Sequence, residues 1–207
     1  MPRVVHKRQD TPDLSVYGND DIAAFAATRG LPVEFLVKMG LHISPADGER
    51  PGWIAIPYPN LTGIWHTRYR NPGVEGPKYW APHGSGTHLY NPLCLGPNTD
   101  VVWFTEGEID CLVMIYLGYP AVGIPGATIG ARFHRSWKML YEEAEVVVAF
   151  DNDEAGQAAA EKLAAVFQPH SRLFIPPEGM DINEWWLANP KDLSAALAAF
   201  TDQEGLA

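Results

Sequence analysis

From about residue 100 onward, short apolar runs alternate with segments of helical periodicity, and no other feature restricts the fold of this chain so strongly. VVWFT (101–105) reads as a strand, IDCLVMIYLG (109–118) as a helix closed by glycine, and AVGIPG (121–126) as a strand. ARFHRSWKMLYEE (131–143) reads as a helix, VVVAFD (146–151) as a strand, EAGQAAAEKLAAVF (154–167) as a helix and RLFIP (172–176) as another strand. Strands alternating with helices imply βαβ units and a mostly parallel sheet with helices on both faces. The near-continuous apolar character of VVWF and VVVAF fits strands buried on both sides.

In such sheets functional groups gather just beyond the carboxyl ends of the strands. Glu106 follows the first strand directly, and Asp151 and Asp153 follow VVVAF. Asp181, in GMDINEW, comes soon after RLFIPP and before a further helical stretch. Carboxylates crowded at one rim repel one another. Their arrangement becomes favourable around a divalent cation, and hard oxygen ligands are what Mg2+ or Mn2+ prefer. Taken singly, Asp153 reads equally well as a helix N-cap and Asp151 as a solvated strand terminus. It is their joint occurrence with Glu106 at successive strand ends that favours a metal site.

The remainder has a different texture. Residues 1–18 are polar and are expected to form a loose arm. A first helix is expected over DDIAAFAATRG, capped by Asn19, and a second over LPVEFLVKMG. WIAIPY and GIWHTRYR read as strands broken by Pro and Gly. Four regions are therefore expected: the arm, a small mixed α+β subdomain over 19–99, the α/β domain over 100–190, and a helix and tail over 191–207.

At 207 residues and 46% hydrophobic the chain can bury a sizeable core. No apolar run approaches the ~20 residues of a membrane span. MPRVVHKRQD lacks the apolar centre of a secretory signal, so the expected compartment is the cytoplasm, with no membrane partner. Cys94 and Cys111 belong to no CxxC pair, so neither a disulfide framework nor a zinc site is expected. The formal net charge of -10 argues against a protein that simply coats nucleic acid. A local basic strip nevertheless runs from Thr62 to Tyr90. It carries Arg68, Arg70 and Lys78 with His66, His83 and His88 against the single acid Glu75, and interleaves Trp65, Tyr69, Tyr79 and Trp80. Cations can hold phosphates while aromatic faces stack bases. Half of the four aromatics are expected in the core, and the histidines on the surface or in packing.

Glu106-Gly107 after a strand, Asp110 beyond it, DNDEAG after a later strand and an acidic DIN near the end resemble the Toprim domain. That domain is shared by bacterial-type primases, topoisomerases and small nucleases. DIAAFAATRGLPVEFLVKMGL is similar to the helical lead-in of DnaG-type primase catalytic cores. GIWHTRYRNPGVEGPKYWAP resembles the segment of those cores that carries a basic pair and then a P-K-Y tripeptide, and YPAVGIPGA also matches. The resemblance spans roughly residues 20–190. It implies a metal site from Glu106, Asp110, Asp151, Asp153 and Asp181. Glu106, Asp151 and Asp153 are then the catalytic residues, and Arg68, Arg70, Lys78 and Tyr79 the nucleotide and nucleic-acid contacts. MDINEW departs from the family's usual aspartate pair, so either Asp181 or Glu184 completes the set.

The activity implied is metal-dependent synthesis of short oligonucleotide primers, with two Mg2+ or Mn2+ ions and no zinc. Partners would be a single-stranded DNA template and nucleoside triphosphates, with a replicative helicase or a separate zinc-binding module, since the chain has room for neither. A phage or mobile element is the expected setting, with the host cytoplasm as compartment. Two other readings stand beside it: a small Toprim nuclease, and a lapsed nucleic-acid-binding accessory protein. The lead-in and the RYR to PKY segment separate the primase from a minimal nuclease. The survival of the acidic positions weighs against the lapsed module.

Overall fold

The structure is a computed structural model that describes residues 22–60, 63–73, 75–95, 99–125 and 135–202. The expected arm over 1–18 and the expected Asn19 cap lie outside these residues. The described chain forms two compact units, one within Gln9–Leu93 and the other within Cys94–Ala207. No helix among the described residues is long and apolar enough to cross a membrane.

In the first unit, α1 (Ala23–Arg29) buries Phe25 and Ala26 and ends on Gly30, whose φ of 63° suits glycine and whose N–H caps the last turn. α2 (Val33–Lys38) follows Pro32, which stands at the extended N-cap position. Four antiparallel strands come next, β1 (His42–Ile43), β2 (Ile54–Asn60), β3 (Gly63–Arg70) and β4 (Tyr79–Trp80), in that spatial order. β2 and β3 are the two expected strands. β1 and β4 contain only two residues each, too short for a periodic signal. Side chains alternate across a strand, so Arg68 and Arg70 share one face of β3 and Tyr69 takes the other. The register carries this across to β4, pairing Arg70 with Tyr79 and Tyr69 with Trp80. The core beneath holds Leu36, Leu41, Ile54, Ile56, Tyr58 and Tyr90, each at most 1% exposed.

The second unit is built on β5 (Val101–Thr105), β6 (Ala121–Gly123), β7 (Glu145–Ala149) and β8 (Ser171–Leu173), all parallel and ordered β6-β5-β7-β8. The helices are α3 (Glu108–Leu117), α4 (Arg135–Leu140), α5 (Glu154–Phe167), α6 (Ile182–Ala188) and α7 (Pro190–Asp202). After their first residue β5 and β7 are buried throughout, as their unbroken apolar sequences require. The chain leaves β5 toward β6 and then returns to the other side of β5 as β7. The switch point of the sheet therefore lies between β5 and β7, where ligands of such folds bind.

Several elements differ from expectation, among them β6, which ends at Gly123 rather than at 126. β8 is Ser171–Leu173 rather than 172–176: Phe174 still donates its N–H to Val148, but Pro176 and Pro177 have no N–H with which to extend the ladder. α4 covers Arg135–Leu140, with 131–134 outside the described residues, and the chain turns after it with Tyr141 donating to Lys138 and Ala144 to Tyr141. The C-terminal helix begins at Pro190, a favoured first helical residue, and is described to Asp202.

Candidate metal centre and basic cluster

Each acidic candidate of the second unit owes its place to a local device. Thr105 of β5 pairs with Ala149 of β7, so Glu106 and Asp151 emerge from neighbouring strand ends at the switch point. Gly107 follows with φ 108°, a conformation that L side chains rarely adopt, and serves as the N-cap position of α3. That turn puts Asp110 in the first turn of α3, where it is buried.

The spacing of DNDEAG has an equally local cause. Asp153 is the N-cap of α5, its Oδ1 accepting from the N–H of Gly156 at 2.7 Å. A Cβ at Gly156 would sit 2.3 Å from the Asp151 carbonyl oxygen, so only glycine lets α5 start this close to Asp151.

Asp181 in turn caps α6. Its Oδ1 accepts from the Glu184 N–H at 2.6 Å, and Glu184 Oε2 accepts from the Asp181 N–H at 3.1 Å, a complete capping box. The next orphan N–H of α6, that of Asn183, is taken by Asp110 Oδ1 at 2.8 Å. Three carboxylates thus serve one helix start, Asp181 and Glu184 from the helix itself and Asp110 from α3.

Asp110, Asp151 and Asp181 each bring one oxygen into a group whose atoms all lie within 4.8 Å of one another. The electrostatics register the crowding. Burial first, then the Asp181 charge, push Asp110 well above the usual carboxylate range; the Asn183 N–H pulls the other way, and Asp151 adds to the rise. Asp151 is pushed up to about 7 by burial, and then by Glu106, Asp181, Asp153 and Glu184. Crowded carboxylates in a partly buried cluster of hard oxygens are a fit for a divalent cation of the Mg2+ or Mn2+ class.

Of the five expected ligands, three meet in this group. Glu106 and Asp153 face Asp151 closely enough to raise its pKa, with the Asp153 carboxylate engaged as a cap. Between the alternatives Asp181 and Glu184, it is Asp181 that brings an oxygen to the group, while exposed Glu184 completes the capping box.

The basic strip belongs to the first unit and is organised around one ring. Arg68 lies 4.1 Å, Arg70 5.1 Å and Lys78 5.9 Å from the Tyr79 ring centre, and Arg70 Nη1 donates to the Tyr79 hydroxyl. Among the described residues no carboxylate forms an ion pair with Arg70 or Lys78. On the opposite face of the sheet Tyr69 packs against Trp80 at 5.6 Å, and Arg50 sits 4.2 Å over Trp80 and 5.4 Å from Trp53. Arg50 was not singled out by sequence reasoning, because only the fold brings it from the β1–β2 connection onto β4. The expected division between core and surface is not seen among those described, Tyr69, Tyr79 and Trp80 all being half-buried and none in the core; the Trp65 side chain lies outside the described residues. His66 packs on Tyr58 and on His88, at 4.9 and 5.0 Å between ring centres. Residues 94–207 carry 17 acids and six bases, whereas 9–93 carry eight acids and six bases, so most of the chain's acidity lies in the second unit.

Comparison with known proteins agrees with this geometry. A Toprim-like family profile matches residues 103–186, a span that contains all three grouped aspartates. The Gene 57 protein of Mycobacterium phage D29 is 32% identical over 146 residues, 68% of this chain and 94% of that protein. The primase fragment of the bacteriophage T7 primase-helicase protein matches with a TM-score of 0.67 and 27% identity, over 81% of this chain and 70% of that one. The RNA polymerase domain of Mycobacterium tuberculosis primase DnaG matches with a TM-score of 0.66 over 90% of this chain and 78% of that one; at 18% identity it shares the fold.

Proposed function

Because the chain carries a Toprim-like domain and belongs to the family of the Gene 57 protein of Mycobacterium phage D29, we propose that it is a primase-type nucleotidyltransferase. It would join nucleoside triphosphates into short oligonucleotides on single-stranded DNA. The observation that carries this reading is the meeting of Asp110, Asp151 and Asp181 at the switch point of the parallel sheet, in a chain whose fold is that of primase catalytic cores.

Asp110, Asp151 and Asp181 would hold the cations, and Glu106 and Asp153 would complete a two-ion set. Two Mg2+ or Mn2+ ions, when bound, would supply charge neutralisation at the reacting phosphates. Chemistry of this type depends chiefly on positioning and electrostatics, so the work of the chain is to fix oxygens and cations in place. Glu106, at the end of β5, would accept the proton of the attacking 3'-hydroxyl or serve as a further ligand. Arg68, Arg70 and Lys78 would hold nucleotide or template phosphates, pre-set by their shared packing on Tyr79.

A replicative helicase or a separate zinc-binding module is a further partner on this reading, and the host cytoplasm its compartment. Incubation with labelled nucleoside triphosphates, single-stranded DNA and Mg2+ or Mn2+ tests it. Short oligomers that disappear in Asp151→Asn support the primase. Degraded template without oligomers assigns a Toprim nuclease instead, and binding without either product assigns an accessory protein.

A further inference from the structure

Asn152 stands between the two aspartates of DNDEAG and is tied by three hydrogen bonds to the segment that delivers Asp181. Its N–H donates to the Met180 carbonyl at 3.0 Å, its own carbonyl accepts from the Gly179 N–H at 3.0 Å, and its Nδ2 donates to the Pro176 carbonyl at 2.7 Å. The bound segment has few other means of fixation. Pro176 and Pro177 bring no N–H, Gly179 takes φ 72°, and the Met180 N–H turns back onto Pro177. Asp181 follows Met180 directly and contributes its oxygen to the group with Asp110 and Asp151.

Repulsion among those carboxylates favours drawing the Asp181 segment away from Asp151. The hydrogen bonds of Asn152 oppose that movement, and only the carboxamide bond to Pro176 depends on the side chain. We infer that Asn152 is a positioning residue, whose side chain sets the register between the Asp151 turn and the Asp181 segment and thereby the cation affinity of the site. This rests on the reading of the three aspartates as a cation site. It gives the residue between the two aspartates a task that the carboxylates cannot perform. Groups that orient metal ligands commonly change affinity 10–100-fold when removed, so the loss expected here is roughly 10-fold.

The test is Mn2+ titration of the full chain, followed by the electron paramagnetic resonance signal of free Mn2+ well below the melting temperature. Asn152→Ala is expected to bind Mn2+ roughly 10-fold more weakly than wild type. In an Asp181→Ala background the same change is expected to have no further effect, because the segment then carries no ligand. A side chain that merely stabilises the fold would lower the melting temperature and leave the Mn2+ affinity within about twofold, or act equally in both backgrounds; either result overturns the inference. Should Asn152→Ala fail to fold, Asn152→Ser, whose hydroxyl is too short to reach Pro176, takes its place with the same expected and overturning results. Failure of the wild type to bind Mn2+ is a separate outcome that removes the cation site itself, and the inference with it.

Discussion

The N–H of Asn183 donates to Oδ1 of Asp110 at 2.8 Å, joining residues 73 positions apart and fixing the start of α6 against the first turn of α3. This bond explains why a carboxylate crowded by two others stays buried: it satisfies a helix-end donor that would otherwise lack a partner. Asp110→Leu removes the acceptor and leaves that donor buried, at a cost of about 1–3 kcal/mol in unfolding free energy. Asp110→Asn keeps an acceptor oxygen and removes a charge, so the metal-free protein keeps its stability while Mn2+ no longer protects it. Denaturant melts of both variants with and without Mn2+ separate the two effects.

The raised Asp151 sets a pH dependence of definite sign. Its carboxyl is pushed from 3.8 up to about 7 in the folded chain, so between these values the folded state holds a proton that the unfolded state releases. Stability of the metal-free protein therefore falls as pH rises from about 4 to about 7, as far as this group decides it, and levels above that. Cation binding must displace the proton, so Mn2+ affinity is expected to climb over the upper part of the same window. Titrations between about pH 5.5 and 7.5 check this, and Asp151→Asn should flatten the stability profile.

Gly156→Ala places a methyl group 2.3 Å from the Asp151 carbonyl oxygen. The start of α5 or the Asp151 turn must move, at a cost of about 1–3 kcal/mol. Because the displaced residue belongs to the acidic group, weaker Mn2+ binding is expected along with the lower melting temperature, whereas Ala158→Gly on the exposed side of α5 should change only the latter.

In the first unit, Tyr79 holds three cations by its ring and one of them also by its hydroxyl. Tyr79→Phe keeps the ring and is expected to retain most single-strand binding; Tyr79→Leu frees the cations and weakens it by about 0.5–2 kcal/mol. Lys78→Ala should reduce the slope of log affinity against log salt by about 0.7. Fluorescence anisotropy with labelled single-stranded DNA at several salt concentrations gives both.

How much of this could be read along the chain depends on how far each cause reaches. Unbroken apolar runs such as VVWF and VVVAF announced buried parallel strands, and the acids at their ends announced a polar rim, because both signals are local. The glycines of EGEID and DNDEAG were visible, but the need for Gly156 appears only where α5 meets the Asp151 carbonyl. The bond between Asp110 and Asn183, the tether from Asn152 to Pro176, and the crossing of Arg50 onto Trp80 join segments distant in sequence, and no spacing rule reveals them. The end of β8 is not legible because the apolar run continues to Ile175, past the last ladder bond, which Phe174 makes to Val148.

Stability offers a direct check on the cation site. A ligand bound only by the folded chain stabilises it by mass action, about 2.7 kcal/mol at a concentration 100 times its Kd. Mn2+ should therefore raise the melting temperature of the wild type and leave that of Asp151→Asn unchanged.

The central claim is that aspartates from α3, from the end of β7 and from the start of α6 converge on a common cation. Anomalous diffraction from a crystal soaked in Mn2+ tests it most directly. The account predicts a manganese peak bonded at about 2.0–2.3 Å to carboxylate oxygens of Asp110, Asp151 and Asp181. A peak elsewhere, or the three side chains turned apart with no ion among them, would contradict it.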